Sequence, residues 1–359
     1  MRLVVVFLTL FILGSCAYHR YVSGDVDELV DVEIGGMTQW IAAHGAGAEL
    51  PVLLWLHGGP GAAQMPVARS INGNLESEFI VVHWDQRGAG KSNPRDFDER
   101  TMTIDRYVQD VHEVTRYLKE RFGRDRIYLL GHSWGTQIGM IAAHRYPHDY
   151  IAYIGVSQVI DGDEAQVIAE RELRRRLEDG GRRRELARLE RLDGLPYRDH
   201  GEYVTFAKML DSMEMNMDLG FGRLASAAIR SDLYTVGDLF RWLGGANRGS
   251  GPMWNETQGF AVIDAAPAIE VPCFFIMGSD DYNTPVVLVE RLIERLEAPH
   301  TELVVFDGAA HTPFFADPDR FLFELTRIKN ATFPVSSYSP WKNRGEPVSC
   351  RSSSTRRAM

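Results

Sequence analysis

The chain has 359 residues, of which 45% are hydrophobic and 25% are charged, a composition typical of a globular protein and not of a disordered one. Its formal net charge is -10, and no basic stripe runs through the body of the sequence. We therefore expect no nucleic-acid partner, because binding to a phosphate backbone depends on clustered Lys and Arg.

The N-terminus has the features of an export signal. A charged start precedes an apolar run at residues 3–13, which is too short to span a bilayer as a helix. Leu13-Gly14-Ser15-Cys16 resembles a bacterial lipobox, in which the cysteine becomes the lipidated first residue. We expect residues 1–16 to be a signal peptide, and the protein to be exported and lipid-anchored at Cys16 on the periplasmic side of the cell envelope. An ordinary signal cleaved near Ala17 and an N-terminal anchor helix are the alternatives, and no other membrane contact is expected.

The three cysteines indicate neither a disulfide framework nor a metal site. Cys16 belongs to the signal, Cys273 lies in an apolar run and Cys350 lies in a polar tail. No Cys/His cluster has the spacing of a metal site, so we expect no metal and no cofactor.

Short apolar runs that end at glycine-rich turns alternate with helical patterns along the chain. The predicted strands are residues 51–56, 79–84, 127–130, 151–156, 272–277 and 301–306. The predicted helices between and after them are residues 104–122, 136–146, 286–296 and 320–328. This β-α-β order predicts an α/β fold with a mostly parallel, twisted sheet and helices on both faces.

Residues 158–262 interrupt this pattern, because they lack strand-like runs and look helical. The arginine-rich stretch 171–191 alternates with glutamates and predicts two solvated amphipathic helices. Aromatic and methionine residues elsewhere in this segment are interpreted as its core, and some could also line an apolar pocket. We therefore predict a core made of residues 25–157 and 263–331, an inserted helical cap at 158–262, and a disordered tail at 332–359.

Gly131-His132-Ser133-Trp134-Gly135 lies between a predicted strand and a predicted helix. A serine on such a tight turn has a strained backbone, and the residues two before and two after it approach so closely that only glycine fits. The turn exposes the hydroxyl beside the first free N–H groups of the helix. Because G-x-S-x-G also arises by chance in a chain with 33 glycines, partner residues must decide its role.

A serine hydroxyl is a poor nucleophile, so it needs an imidazole base that is oriented by a carboxylate. Asp281 follows the strand at 272–277 and His311 follows the strand at 301–306, where the carboxyl ends of parallel strands usually form sites. We interpret Ser133 as nucleophile, His311 as base and Asp281 as its orienting carboxylate. Asp280 competes with Asp281, and an ordinary loop histidine is the alternative for His311.

Acyl transfer also needs N–H donors for the developing oxyanion. The N–H of Trp134 is one candidate. The N–H of Gly59 is the other, in the segment His57-Gly58-Gly59-Pro60-Gly61 after the first predicted strand. A simple glycine turn is the alternative for this segment.

Residues 85–92, Asp-Gln-Arg-Gly-Ala-Gly-Lys-Ser, contain a Gly-Lys-Ser that suggests a phosphate-binding loop. Such a loop needs another glycine five positions before Gly90, where this chain has Asp85. The sequence therefore excludes this kind of nucleotide site.

Residues 85–92, together with the motifs HGGPG and GHSWG, resemble the corresponding motifs of the proline iminopeptidase branch of the α/β-hydrolases. The resemblance covers about residues 25–331. It implies an α/β-hydrolase fold with an inserted helical cap, a triad of Ser133, Asp281 and His311, and release of N-terminal residues, typically proline, from short peptides. The spacing G-x-x-D-x-x-x-P, familiar from related hydrolases, selects Asp281 over Asp280.

The aromatic-rich cap motif ending in Trp-Glu that this family carries is not evident in residues 158–262. An aminopeptidase needs carboxylates to hold the substrate ammonium, and Glu202 and Glu214 are the predicted substrate-binding residues, with Glu256 also available. A surface glutamate is the alternative for each.

The predicted function is that of a serine hydrolase acting through an acyl-enzyme on a small molecule or short peptide, as an aminopeptidase of the iminopeptidase kind. A carboxylesterase or amidase with the same machinery is the alternative, and a silent binding protein is the alternative outside enzymes. Epoxide hydrolase and dehalogenase activities are disfavoured, because those relatives carry aspartate where Ser133 stands.

Overall fold

The computed structural model describes residues 25–333, without the side chains of Phe221 and residues 246–250. The predicted signal at residues 1–16, including Cys16, lies outside the described residues, as does the predicted tail at 332–359 except for its first two residues. Export and lipid anchoring therefore stay predictions. Within the described residues, no helix is both long and apolar enough to cross a membrane.

Residues 25–333 contain one eight-stranded sheet with the order β1-β2-β4-β3-β5-β6-β7-β8. The strands are β1 (Val26–Ile34), β2 (Met37–Gly45), β3 (Val52–Leu56), β4 (Ile80–Asp85), β5 (Ile127–His132), β6 (Tyr150–Val156), β7 (Cys273–Gly278) and β8 (Thr301–Phe306). Strands β3 to β8 run parallel, whereas β1 pairs antiparallel with β2 and β2 pairs antiparallel with β4. The mostly parallel sheet that the sequence predicts is therefore confirmed.

The hairpin of β1 and β2 is the part of the sheet that the sequence analysis misses. β1 is an edge strand in which charged residues interrupt the apolar ones, and several of its side chains are exposed. A strand of this kind lacks the continuous apolar run by which the buried central strands are recognised.

The helices connect the strands and cover the sheet. They are α1 (Ala68–Asn72), α2 (Ile104–Phe122), α3 (Trp134–Arg145), α4 (Gly162–Asp179), α5 (Arg183–Leu189), α6 (His200–Asp211), α7 (Phe221–Ile229), α8 (Val236–Thr257), α9 (Val262–Ala265), α10 (Val286–Arg295), α11 (Pro313–Ala316) and α12 (Pro318–Thr332). The predicted helix at 104–122 has these same bounds, and it ends at Gly123, whose φ of 61° lies in the left-handed region that favours glycine.

The central strands β3 to β7 are buried on both faces, as their near-continuous apolar sequences predict. In β3, Leu54 and Leu56 pack with α2, α3 and α10 on one face, whereas Leu53 and Trp55 pack with α1 and α12 on the other. This three-layer arrangement places the carboxyl ends of β3, β5, β7 and β8 at one edge of the sheet, where the candidate site lies.

The segment between β6 and β7 contains α4 to α9, and no strand is found among its residues. Helices α4 and α5 correspond to the predicted amphipathic pair. The segment has an apolar cluster of its own, in which Leu173, Phe206, Met209 and Met215 are buried. We call residues 158–262 the cap segment.

Candidate active site

Ser133 occupies the turn between β5 and α3 with φ 53° and ψ -124°. A non-glycine residue rarely adopts a positive φ, and such a conformation costs on the order of 1–3 kcal/mol. A Cβ atom on Gly131 would lie 2.5 Å from the carbonyl oxygen of Gly135. A Cβ atom on Gly135 would lie 2.9 Å from the carbonyl oxygen of His57 and closer still to that of Leu56. The turn therefore has the strained backbone and the two obligatory glycines that its sequence predicts.

Substituting Gly135→Ala should lower the free energy of unfolding by about 3 kcal/mol or more, because the methyl group would collide with backbone atoms that cannot move aside independently. Urea denaturation followed by circular dichroism would measure this change. Gly222→Ala is the matched control, since a Cβ on this exposed residue of α7 has no neighbouring atom within 4 Å. Equal unfolding free energies for the two variants would contradict the steric explanation.

Asp281 and His311 lie on the loops that follow the adjacent strands β7 and β8. His311 Nδ1 lies 2.9 Å from Asp281 Oδ2, and both side chains are buried. The backbone N–H of Thr284 donates to Asp281 Oδ1 at 2.9 Å, and its hydroxyl donates to Oδ2 at 2.5 Å. The N–H of Asn283 donates to Oδ1 at 3.0 Å. The carboxylate is therefore fixed on both of its oxygens.

Electrostatics favour an ionised Asp281. Burial alone would raise the pKa of its carboxyl group, but the charge of His311 and the hydrogen bonds from His311 and Thr284 together hold that pKa below its ordinary value. The neighbouring Asp280 points elsewhere and accepts a hydrogen bond from Arg176 at 2.8 Å. Of the two aspartates that compete in the sequence, the structure thus brings Asp281 to the histidine.

His311 Nε2 lies 3.3 Å from Asn283 Nδ2. Because an amide nitrogen only donates, this contact makes Nε2 an acceptor and places the ring proton on Nδ1, where it donates to Asp281. Tyr203 of α6 donates in turn to Asn283 Oδ1 at 3.2 Å, and burial raises the pKa of Tyr203 to about 12, which keeps it protonated. This tautomer is the one that a general base needs.

The described residues contain no hydrogen bond between Ser133 and His311. Ser133 is partly exposed, and its hydroxyl has no partner within residues 25–333. The lone pair of His311 Nε2 faces the amide of Asn283 instead.

The glycine-rich segment after β3 lies against the serine. A Cβ on Gly58 would lie 3.0 Å from Ser133 Cβ, a contact so tight that a larger residue would have to displace the serine by a few tenths of an ångström. The backbone N–H groups of Gly59 and Trp134 have no acceptor within the described residues, and both residues line the same cavity as Ser133. Two unpaired donors beside a hydroxyl are what an oxyanion site requires.

Gln86 connects the glycine-rich segment, which contains Gly59, to Trp134 at the start of α3. Its Nε2 donates to the carbonyl of His57 at 2.9 Å, and its Oε1 accepts from Trp134 Nε1 at 3.2 Å. The glutamine of the motif that looks superficially like a phosphate-binding loop therefore holds the glycine-rich segment against the start of α3.

The cavity above Ser133 is lined by residues of the core and of the cap segment. The core contributes Gly59, Pro60, Ser133, Trp134, Gln137, Tyr282, Asn283 and Thr284, and the cap segment contributes Val159, Gly162, Asp163, Ala165, Gln166, Ala169, Tyr203, Phe206, Leu210, Trp254, Thr257 and Gln258. Asp163 is the one carboxylate among these lining residues, and it is paired with Arg198 at 2.9 Å.

The predicted substrate-binding glutamates are not brought to this cavity. Glu202 accepts a hydrogen bond from the backbone N–H of Asp193 at 3.1 Å, and Glu214 is exposed on a turn after α6. Glu256 is also exposed. None of the three is among the lining residues.

Sequence reasoning missed Thr284, Asn283 and Gln86. Thr284 precedes Pro285 at the start of α10, a pattern that predicts helix capping, but its hydroxyl donates to Asp281 and does not cap the helix. No local signal indicates Asn283 or Gln86, since their partners His311 and His57 are distant in the chain.

A model of the alpha/beta hydrolase fold family matches residues 51–318. A probable aminopeptidase of Bacillus subtilis is 28% identical to this chain over 301 residues, which cover 83% of this chain and 94% of that protein. A proline iminopeptidase of Lactobacillus delbrueckii subsp. bulgaricus is 26% identical over 274 residues, which cover 75% of this chain and 86% of that protein.

Among solved structures, a proline iminopeptidase-related protein of Thermus thermophilus has a TM-score of 0.62 at 21% identity, covering 86% of this chain and 98% of that one. The proline iminopeptidase of Mycobacterium smegmatis has a TM-score of 0.59 at 21% identity, covering 85% and 98%. These likenesses show a shared fold.

Proposed function

The chain belongs to the alpha/beta hydrolase fold family, and from that premise we propose that it is a serine hydrolase that works through an acyl-enzyme on Ser133, with an aminopeptidase specificity. One observation carries the proposal. Ser133, held in a strained turn, shares a cavity with the unpaired N–H groups of Gly59 and Trp134, and the loops after the neighbouring strands hold the pair formed by His311 and Asp281.

In the acylation step, Ser133 Oγ attacks the scissile carbonyl carbon while its proton passes to His311 Nε2. For this step His311 exchanges its contact with Asn283 for one with Ser133. The carbonyl oxygen becomes an oxyanion that accepts hydrogen bonds from the N–H groups of Gly59 and Trp134. Removal of one such donor typically costs about 3 kcal/mol of transition-state stabilisation.

Collapse of the tetrahedral intermediate breaks the bond to the leaving group, and the proton on His311 Nε2 passes to the leaving amine or alcohol. The acyl group is then an ester of Ser133. Water attacks this ester, its proton passes to His311, and the second collapse returns that proton to Ser133 and releases the acid. Asp281 stays ionised throughout and stabilises the imidazolium.

Aminopeptidase specificity is supported by the names of the relatives, a probable aminopeptidase and a proline iminopeptidase, which align over most of this chain. We also propose that the cap segment covers the site, because its residues Asp163, Phe206 and Trp254 line the cavity together with Ser133.

A carboxylesterase or amidase is the second candidate, and one observation favours it. The single carboxylate that lines the cavity, Asp163, is already compensated by Arg198. A substrate ammonium group would have to compete with this guanidinium, whereas an uncharged acyl group would not.

The two candidates differ in whether the substrate needs a free amine, so we expect proline p-nitroanilide to be cleaved and N-acetylproline p-nitroanilide to be spared. The loss of kcat/KM on acetylation should be about 100-fold or more, since it removes a charged group that the site would have to recognise. Release of p-nitroaniline measures both rates, with p-nitrophenyl acetate as the uncharged ester.

If both anilides are cleaved at comparable rates, or if only the ester is cleaved, the aminopeptidase proposal fails and the second candidate is supported. Ser133→Ala serves as the background control for every substrate. If the protein cleaves none of the three substrates, that result would count against both specificities.

A further inference from the structure

A short turn after α6 leads the chain back toward the candidate active site. Glu214 adopts φ 57°, and the N–H of Met215 donates to the carbonyl of Leu210 at 3.0 Å. This reversal places residues 215–218, which we call the clasp, against the loops that carry Asp281 and His311.

The clasp accepts a backbone hydrogen bond from each of these two loops. The N–H of Tyr282, the residue after Asp281, donates to the carbonyl of Met215 at 3.0 Å. The N–H of His311 itself donates to the carbonyl of Asn216 at 2.7 Å. One short stretch of the cap segment thus bridges the carboxylate loop and the histidine loop.

Asp218 holds the residues on either side of the histidine. Its Oδ1 accepts from the N–H of Ala310 at 2.6 Å, and its Oδ2 accepts from the N–H of Thr312 at 2.7 Å and from the Thr312 hydroxyl at 2.8 Å. Hydrogen bonds to a carboxylate are about twice as strong as bonds between neutral groups. The carboxylate therefore fixes the backbone immediately before and after His311.

Residues of the core hold the backbone carbonyl of His311. The carbonyl of His311 accepts from the hydroxyl of Ser157 at 2.9 Å and lies 2.9 Å from His132 Nε2. Burial lowers the pKa of His132 to about 3, so its ring is neutral and donates through Nε2, while Nδ1 faces the amide nitrogen of Gln64 at 3.1 Å. The backbone of His311 is thus held through its carbonyl by the core and through its N–H by the clasp.

The side chain of Asp218 is not among those that line the cavity of Ser133, and its hydrogen bonds go to the residues on either side of His311. Its hydrogen bonds to Ala310 and Thr312 span 92 and 94 residues of chain, so they are not local turn contacts. What they do is join the cap segment to the loop of the histidine.

We propose that Asp218 is a positioning residue that holds the loop of His311 so that Nε2 can reach Ser133, and that the clasp thereby makes the activity of the histidine depend on the docking of the cap segment. This inference rests on the proposed function. The clasp acts through His311 and does not touch the reacting atoms.

Asp218→Asn tests the proposal. An asparagine presents an NH₂ group where one carboxylate oxygen accepted a backbone N–H, so donor faces donor and the loop shifts. We expect kcat for p-nitrophenyl acetate to fall by about 10-fold to 100-fold, because a displacement of about 1 Å can cost 100-fold, whereas KM should stay within about twofold. The rate of fluorophosphonate labelling of Ser133 should fall in proportion.

Two further variants calibrate the result. Thr312→Val removes the hydroxyl that donates to the Asp218 carboxylate and accepts the N–H of Asp218. It keeps the bonds from the N–H groups of Ala310 and Thr312 to that carboxylate, so a smaller loss of kcat is expected. Asp319→Asn makes the same chemical change at an exposed position of α12 and should leave kcat unchanged. Melting temperatures of all variants separate positioning from folding.

Wild-type kcat for Asp218→Asn would overturn the proposal. So would a fall in melting temperature with unchanged kcat of the folded protein, or a rise in KM alone, which would indicate a structural role or a substrate contact. If Ser133→Ala keeps wild-type activity, the proposed function itself fails. If Ser133→Ala is inactive but Asp218→Asn keeps wild-type kcat, only the role proposed for Asp218 fails.

Discussion

Ser133→Ala is expected to lower kcat about 10⁶-fold, to the level of background hydrolysis, because removal of the nucleophile from an acyl-transfer site removes the whole two-step path. Stability should change by no more than about 0.5 kcal/mol. Ser133 is partly exposed, and its hydroxyl has no hydrogen-bond partner within residues 25–333. Alanine meets the same backbone strain as serine at φ 53°. Steady-state kinetics with p-nitrophenyl acetate and urea denaturation would measure the two quantities.

Mass spectrometry of fluorophosphonate-treated protein gives a direct companion measurement, since the adduct should map to the peptide that contains Ser133. Ser70→Ala is the matched control, because Ser70 is an exposed serine on α1 and should be dispensable. Retention of wild-type kcat by Ser133→Ala, or labelling of a different residue, would remove the basis of the proposed mechanism.

The central strands could be predicted because their signals are local. Buried parallel strands such as β3 and β7 are short apolar runs, and the turn at Ser133 needs glycines at fixed offsets that are visible in the sequence. The edge strand β1 was not predicted, because its exposed positions carry charged residues that interrupt the apolar pattern of a strand. Prediction thus succeeded where burial on both faces, or a backbone collision, restricts the residue type.

The partners of Ser133 could be identified as candidates because each follows a strand whose carboxyl end must lie at one edge of the sheet. The recognition residues could not. Glu202 and Glu214 have the required charge, but tertiary packing decides which side chains line the cavity. The carboxylate that lines it is that of Asp163. The contacts of Asp218 with the histidine loop depend on chain segments 92 and 94 residues apart, which no local pattern records.

Asp281→Asn is expected to lower kcat about 10⁴-fold, and the hydrogen bonds of this residue explain why. Oδ1 accepts the backbone N–H groups of Asn283 and Thr284, so an asparagine would keep its oxygen there. Its NH₂ group would then replace Oδ2 and donate to His311 Nδ1. The ring proton would move to Nε2, where His311 could no longer accept the proton of Ser133.

The control for this change is the adjacent residue. Asp280→Asn makes the same substitution one position away, in a carboxylate that pairs with Arg176 at the surface, and kcat should stay within about twofold. The position of the ring proton can be read directly from ¹⁵N chemical shifts of His311 at neutral pH, where the lowered pKa of Asp281 keeps the wild-type carboxylate ionised. We expect the proton on Nδ1 in the wild type and on Nε2 in Asp281→Asn. Equal losses of kcat in the two variants would show that charge near the histidine, and not its tautomer, governs the rate.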